Sequence, residues 1–257
     1  MVKYETILKV IEYDIKKCSI TLKSIREQIN PLLKRITDSQ EEYDILMKEI
    51  PYFYRDHYNS DHEELFMQYL TGETFNAVGD ESSVRLSWED SQKTYDMGKN
   101  GVYPLISIHN HPSGVNFLSI GDVGSQALKN EKYTVVVSKK GIAINKLNEW
   151  DEDNELQRKY KCVASYWSLE RKTKQKIKNH PRTKKLEEDT NRKLSEAKTH
   201  SERMDVQRDS HKKMEELVDN YIISHMEESK KSLNRGFKEN NVPMRMEIID
   251  IKKSYEQ

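Results

Sequence analysis

The sequence predicts a central α/β module carried between two long helical arms. Three observations lead there. Eight of the nine glycines lie between Gly72 and Gly141, the ninth being Gly236, so tight turns are confined to the middle of the chain. Upstream, Tyr4, Leu8, Ile11, Ile15, Cys18, Leu22, Ile25 and Ile29 step by fours and threes, the a/d seam of a coiled coil. Downstream of Asn148 charge dominates and apolar residues thin out, as on a solvated helical face. The expected organisation is a helical or coiled-coil arm over 1–50, the α/β domain over 51–148 and a charged helical arm over 149–257.

In the first arm Pro31 interrupts the seam, apolar spacing resumes with Leu32, Ile36, Tyr43, Met47 and Ile50, and Pro51 ends the arm. The same stripe would also suit one amphipathic helix packed on its own domain. Its narrowness favours pairing, as a coiled coil or helix hairpin, and self-association through residues 4–50. Next come a strand over Leu65–Leu70, a turn at Gly72 and a strand near Thr74–Val78, which together read as a hairpin. Asp80 and Glu81 follow Gly79 as a turn, and Glu89 and Asp90 begin a helix before Gly98.

Tyr103–Ile108 is short, apolar and β-branched, as a buried strand is. A helix over Ile120–Lys129 follows, then a strand over Tyr133–Ser138, a turn over Lys139–Gly141 and a strand over Ile142–Lys146. In the second arm Leu156, Tyr160, Val163 and Trp167 recur at helical spacing, His180 and Pro181 mark a break, and Met214, Leu217, Val218, Tyr221 and Ile222 restore a stripe.

Composition excludes several classes. Of 257 residues, 33% are charged and 35% hydrophobic, too few for one core throughout. Charges balance at 43 and 43, so there is no overall basic field for nucleic acid. Lys172, Lys174, Lys176 and Lys178 form a local basic cluster, but acids follow closely and no aromatic platform interleaves it. Cys18 and Cys162 give neither a disulfide framework nor a cysteine zinc cluster, which suits a reducing compartment. No long apolar run and no signal-peptide pattern occurs, so a soluble, cytoplasmic protein without membrane contact is expected. His57, His62, His180, His200, His211 and His225 lack a second ligand at suitable spacing and read as surface residues.

One segment carries chemistry: His109, Asn110, His111, Pro112, Ser113, Gly114, then Ser119, Ile120, Gly121, Asp122. Residues i and i+2 of a strand face one side, so His109 and His111 can share one divalent ion, most simply zinc. Ser119 reads as a helix N-cap, and a helix starting there can aim Asp122 at the histidines as third ligand. S-x-x-D is also an ordinary capping box, in which the acid satisfies backbone donors. The combination with H-x-H on a strand, turn and helix favours the metal site.

This segment resembles the JAMM/MPN (JAB) metalloprotease signature, and its HNHPSG wording is close to the RadC-like and phage or bacterial JAB branches. The resemblance spans roughly residues 60–148. It implies a small mixed sheet with flanking helices, of the MPN/cytidine-deaminase-like kind. It implies zinc held by His109, His111 and Asp122, with Ser119 steadying the tetrahedral intermediate. It further implies a glutamate at the entry to the domain's first strand, acting as general base. Glu63 is favoured and Glu64 is the rival. RadC-type sequences carry their glutamate just before the next glycine, but Phe75, Asn76, Ala77 and Val78 precede Gly79 without an acid, a departure toward the protease-like branch.

The expected function is zinc-dependent hydrolysis of a peptide or isopeptide bond in a protein substrate, including a ubiquitin-like conjugate. Two other classes stand beside it. One is a non-catalytic scaffold built on the same fold and its coiled coils, which a missing ligand would have favoured. The other is a RadC-like nucleic-acid-associated protein, which the neutral charge balance disfavours.

Overall fold

The computed structural model describes residues 21–150 and 154–251, so Tyr4, Leu8, Ile11, Ile15 and Cys18 of the predicted seam lie outside the described residues. The chain divides into two compact units, residues 1–148 with 246–257, and residues 149–245.

The first unit opens with α1 (Leu22–Ile36) and α2 (Gln40–His57), followed by β1 (Glu64–Tyr69), β2 (Thr74–Val78), α3 (Trp88–Lys99), β3 (Pro104–Asn110), α4 (Ile120–Lys129), β4 (Tyr133–Ser138) and β5 (Gly141–Leu147). The sheet has six strands in the order β2-β1-β3-β4-β5-β6, the last being β6 (Met244–Asp250). β1 is antiparallel to both neighbours, β3 and β4 are parallel with α4 as their crossover, and β4 and β5 form an antiparallel hairpin. The sheet is therefore mixed, with flanking helices.

β3, β4 and β5 are almost continuously buried, because both of their faces are covered. On one face Ile106, Ile108, Tyr133, Val135, Val137, Ile142 and Ile144 meet Ile25, Ile29, Leu33, Leu46, Ile50 and Tyr54 of α1 and α2 in one core. Of the expected alternatives, the described residues show the helix hairpin and no coiled coil. For α1 the seam is spent on the sheet and on α2, so within the described residues it forms a helix hairpin on its own domain. A narrow apolar stripe suits either use, and only the distant strands decide between them.

The prolines also behave otherwise than expected. Pro31 and Pro51 both lie inside their helices. An internal proline costs a helix ~3 kcal/mol, which the apolar packing along both helices can offset. The break falls instead at Thr37–Ser39, where the Thr37 N–H closes α1 on the Leu33 carbonyl and the Ser39 hydroxyl accepts from the Glu42 N–H to start α2. Glu42, buried, then accepts from Tyr133 Oη at 2.9 Å and from Lys132 Nζ at 2.5 Å, tying α2 to β4.

The second unit is helical: α5 (Glu155–Ile177), α6 (Pro181–Glu196), α7 (His200–Ser224) and α8 (Met226–Glu239). The expected charged arm is thus several helices with a buried seam that includes Cys162, Leu169, Ile177, Val218, Ile222, Leu233 and Phe237. His180 and Pro181 do form the break, as N-cap and first residue of α6. Three lysines of the basic cluster face acids: Lys172 on Glu239, Lys174 on Glu170, Lys176 on Glu228. β6 was not anticipated, and through it the chain returns to the sheet after the helical unit. No helix among the described residues is long and apolar enough to cross a membrane.

Candidate metal centre

The second face of the sheet is where chemistry gathers. Strand pairing sets Leu65 opposite His109 and Met67 opposite Ser107. Side chains alternate along a strand, so Ser107 and His109 share the face away from α1 and α2. On that face α4 covers the sheet, with Val123 and Ala127 buried. Its angle is pinned by Gln126, whose amide donates to the Asn145 carbonyl at 3.0 Å and accepts from Asn145 Nδ2 at 2.6 Å. The pinned helix presents its first turn, and hence Asp122, to the end of β3.

The predicted ligands are brought together. His109, His111 and Asp122 each offer a donor atom within 4.8 Å of the others, and among the described residues no other such group of histidine, cysteine and carboxylate ligands occurs. His109 Nε2 lies 3.2 Å from His111 Nε2 and 3.1 Å from Asp122 Oδ1. His111 Nε2 lies 3.6 Å from Asp122 Oδ2. Bonds of about 2.0–2.1 Å to zinc give a tetrahedron edges of about 3.3–3.4 Å; the two imidazole nitrogens stand about that far apart, and the Asp122 carboxylate presents one oxygen to each of them. His111 Nδ1 is 3.1 Å from the Val115 carbonyl. That acceptor calls for a proton on Nδ1, so in the neutral ring Nε2 is the nitrogen whose lone pair a cation would take. The donor set therefore fits zinc, although it does not by itself select that metal.

Asp122 serves the helix and the triangle together. The capping box is complete: Ser119 Oγ accepts from the Asp122 N–H at 3.2 Å, and Asp122 Oδ2 accepts from the Ser119 N–H at 2.6 Å. Capping and ligation, rivals in the sequence, are compatible here because a carboxylate has two oxygens. Ser119 itself is exposed. Its oxygen accepts from the backbone, so its proton is available to another acceptor.

The electrostatics follow from burial and proximity. Burial works against a charged Asp122, yet the His109 and His111 imidazoles hold its pKa well below the ordinary carboxylate value. Burial likewise opposes a charged His109, but Asp122, followed by Glu63 and Glu131, outweighs it and leaves that pKa raised.

The two candidate bases part company. Glu63 is half-buried near the triangle: burial raises its pKa, and the opposing pull of His111 and His109 does not cancel the rise. Glu64 sits on the other face, its Oε1 2.9 Å from His57 Nδ1 of α2 and 3.3 Å from His62 Nε2. Those histidines, read as surface residues, are partners of Glu64. Alternation explains the split. Counting back from Leu65, which faces His109, puts Glu63 on the metal face and Glu64 on the α2 face.

Two residues of the site escaped sequence reasoning. Asn110 lay in the motif without a role, yet it is buried and its amide bonds to the backbone on both sides of Glu63. Glu131, also buried, accepts from Ser107 Oγ and Thr134 Oγ1 and adds negative potential at His109. A charged residue beside a turn carries no local sign of burial, so Glu131 was not legible. Asp80 is the turn residue it was expected to be, its Oδ1 accepting from the Ser82 and Ser83 N–H groups.

No family model matches this chain, and neither a curated protein nor a solved structure does.

Proposed function

We propose that the chain is a zinc-dependent hydrolase that cleaves an amide, a peptide or isopeptide bond, in a protein substrate. The observation that carries this reading is the placement of Glu63 on the same sheet face as the His109, His111, Asp122 cluster, whose donor atoms lie within 4.8 Å of one another. The resemblance of the motif to JAMM/MPN metalloproteases supplies the bond type, and a ubiquitin-like conjugate is the substrate to try first.

His109, His111 and Asp122 would hold the ion. A zinc ion held there would supply Lewis acidity toward the scissile carbonyl and acidify a water to a pKa of about 7. Glu63 accepts a proton from the attacking water and returns it to the departing amine nitrogen. The Ser119 hydroxyl, its oxygen already engaged by the Asp122 N–H, turns its proton to the developing oxyanion. The a/d spacing of Tyr4 to Cys18 in the sequence suits self-association or a partner helix, and the paucity of cysteine fits the cytoplasm.

The test is metal content of the purified chain by mass spectrometry, beside His109→Ala and Asp122→Ala, followed by a screen of peptide and isopeptide substrates. About one zinc per chain, lost in both variants, with amide cleavage that needs it, supports the proposal. Absence of zinc after supplementation would sink it and favour the scaffold reading. Zinc without cleavage of any amide would leave a metal-stabilised scaffold.

A further inference from the structure

The β1/β3 ladder ends at the pair Leu65 and His109. One step beyond, a side chain takes over from the backbone. Asn110 Oδ1 accepts from the Glu64 N–H at 2.7 Å, and Asn110 Nδ2 donates to the His62 carbonyl at 2.9 Å. Those groups belong to the two peptide units flanking the Cα of Glu63. From the other side the two residues that follow β2 hold Glu63 directly, its N–H donating to the Asp80 carbonyl at 2.7 Å and its carbonyl accepting from the Gly79 N–H at 2.8 Å. Asn110 is only 1% exposed.

We infer that Asn110 is a positioning residue that fixes Glu63 over the metal triangle, an inference that rests on the zinc-site reading above. Only a carboxamide offers a donor and an acceptor side by side at this reach. Aspartate cannot donate while ionised, serine is too short to span both peptide units, and glutamine is one methylene too long. The two histidines flanking Asn110 belong to the triangle, so one short segment sets both the ligands and the distance of the base from them. Without the clamp, Glu63 is held only from the Gly79 and Asp80 side, and no backbone rung beyond Leu65 ties it to β3 and the ligands there.

The test uses the full chain loaded with cobalt(II), whose visible spectrum reports coordination and its change with pH. Glu63→Gln sets the scale, since it removes the base and leaves the ligands. Asn110→Ala and the near-isosteric Asn110→Leu, which keeps the volume if the alanine variant fails to fold, are compared with it. The expected result is that both bind cobalt to the wild-type level, while the pH midpoint of the spectral change moves at least half as far as in Glu63→Gln. A wild-type midpoint in both, with Glu63→Gln displaced, would overturn the inference and leave the zinc reading intact. Loss of cobalt from both folded variants would also overturn it, because Asn110 would then act on the ligands. An unchanged midpoint in Glu63→Gln would remove Glu63 from the site and the inference with it. A wild-type chain that takes up no cobalt would fail the zinc reading first, and so is told apart from the other outcomes.

Discussion

Asp122 reaches His109 while it caps its own helix: Oδ2 accepts from the Ser119 N–H at 2.6 Å and Oδ1 stands 3.1 Å from His109 Nε2. The carboxylate is held from the helix side before any ion arrives, so the third corner of the triangle costs little further ordering when a metal binds.

Cap and ligand can therefore be separated by substitution. Ser119→Ala should destabilise the fold by about 1 kcal/mol, the usual value of a lost N-cap, and leave bound zinc unchanged. Asp122→Asn keeps an oxygen for the cap but loses the charge, and should weaken zinc binding by more than the ~10–100-fold typical of an outer-shell partner. Thermal melts and zinc titration on both variants measure the two effects; equal zinc loss in both would contradict the division of labour.

The two glutamates give the sharpest contrast. Glu63→Gln should retain zinc and fold and slow hydrolysis by about 10²–10⁴-fold, the range for loss of a general base. Glu64→Gln should leave turnover within a few-fold, because its carboxylate meets His57 and His62 on the other face. Steady-state kinetics on a cleaved peptide or isopeptide substrate decides it, and the reverse pattern would put the base at Glu64.

What was legible in the sequence follows the range of the forces involved. The strand, turn and helix around His109 to Asp122 were readable because i,i+2 alternation and helix capping are local. The helix over Ile120–Lys129 has the expected bounds, and β3 continues two residues past the expected Ile108 to take in His109. The choice between Glu63 and Glu64 was not readable, since it depends on the register of β1 against a strand some forty residues away. The role of Asn110 has the same origin, its partners being 46 and 48 residues distant. The use of Ile25 and Ile29 escaped for another reason: their spacing is equally good for a coiled coil and for a sheet-covering helix.

Metal removal should be visible in stability as well as activity. A ligand present at ~100 times its Kd stabilises the native state by about 2.7 kcal/mol. Stripping zinc with a chelator should lower Tm reversibly, and His111→Ala should have a Tm that no longer responds to zinc. A zinc-dependent Tm in that variant would place the ion elsewhere.

Acid stability should report the α2 anchor. Asp38 accepts hydrogen bonds from Lys132 and Lys146, which together hold its carboxyl below the ordinary value. A depressed folded pKa means that stability is present above the unfolded value of about 4 and is lost as pH falls through the folded one. Burial opposes a charged Lys132, but Asp38 and Glu42 raise its pKa, so its contribution holds below its unfolded value and fades above it. Asp38 is half exposed, which limits its share to about 1 kcal/mol or less. Urea unfolding of wild type and Asp38→Asn should therefore differ at neutral pH, begin to converge below about pH 4 and meet below the folded value; a constant gap would point to packing instead of charge.

Gly141 tests whether β6 completes the sheet as a structural strand. Its φ of 151° lies in a region that side chains rarely adopt, and a Cβ built there would sit 2.1 Å from the Ile249 carbonyl oxygen. Gly72 has a φ of 97° and open space around it. Gly72→Ala should thus cost only backbone strain, about 1–3 kcal/mol. Gly141→Ala must in addition displace β6 or the β4/β5 turn, since backbone cannot swing aside as a flexible side chain does. The larger loss in urea unfolding should fall on Gly141→Ala, accompanied by faster amide exchange at Ile249 and Asp250. If the two variants lose the same stability and exchange at β6 is unaltered, the strand is not held against Gly141.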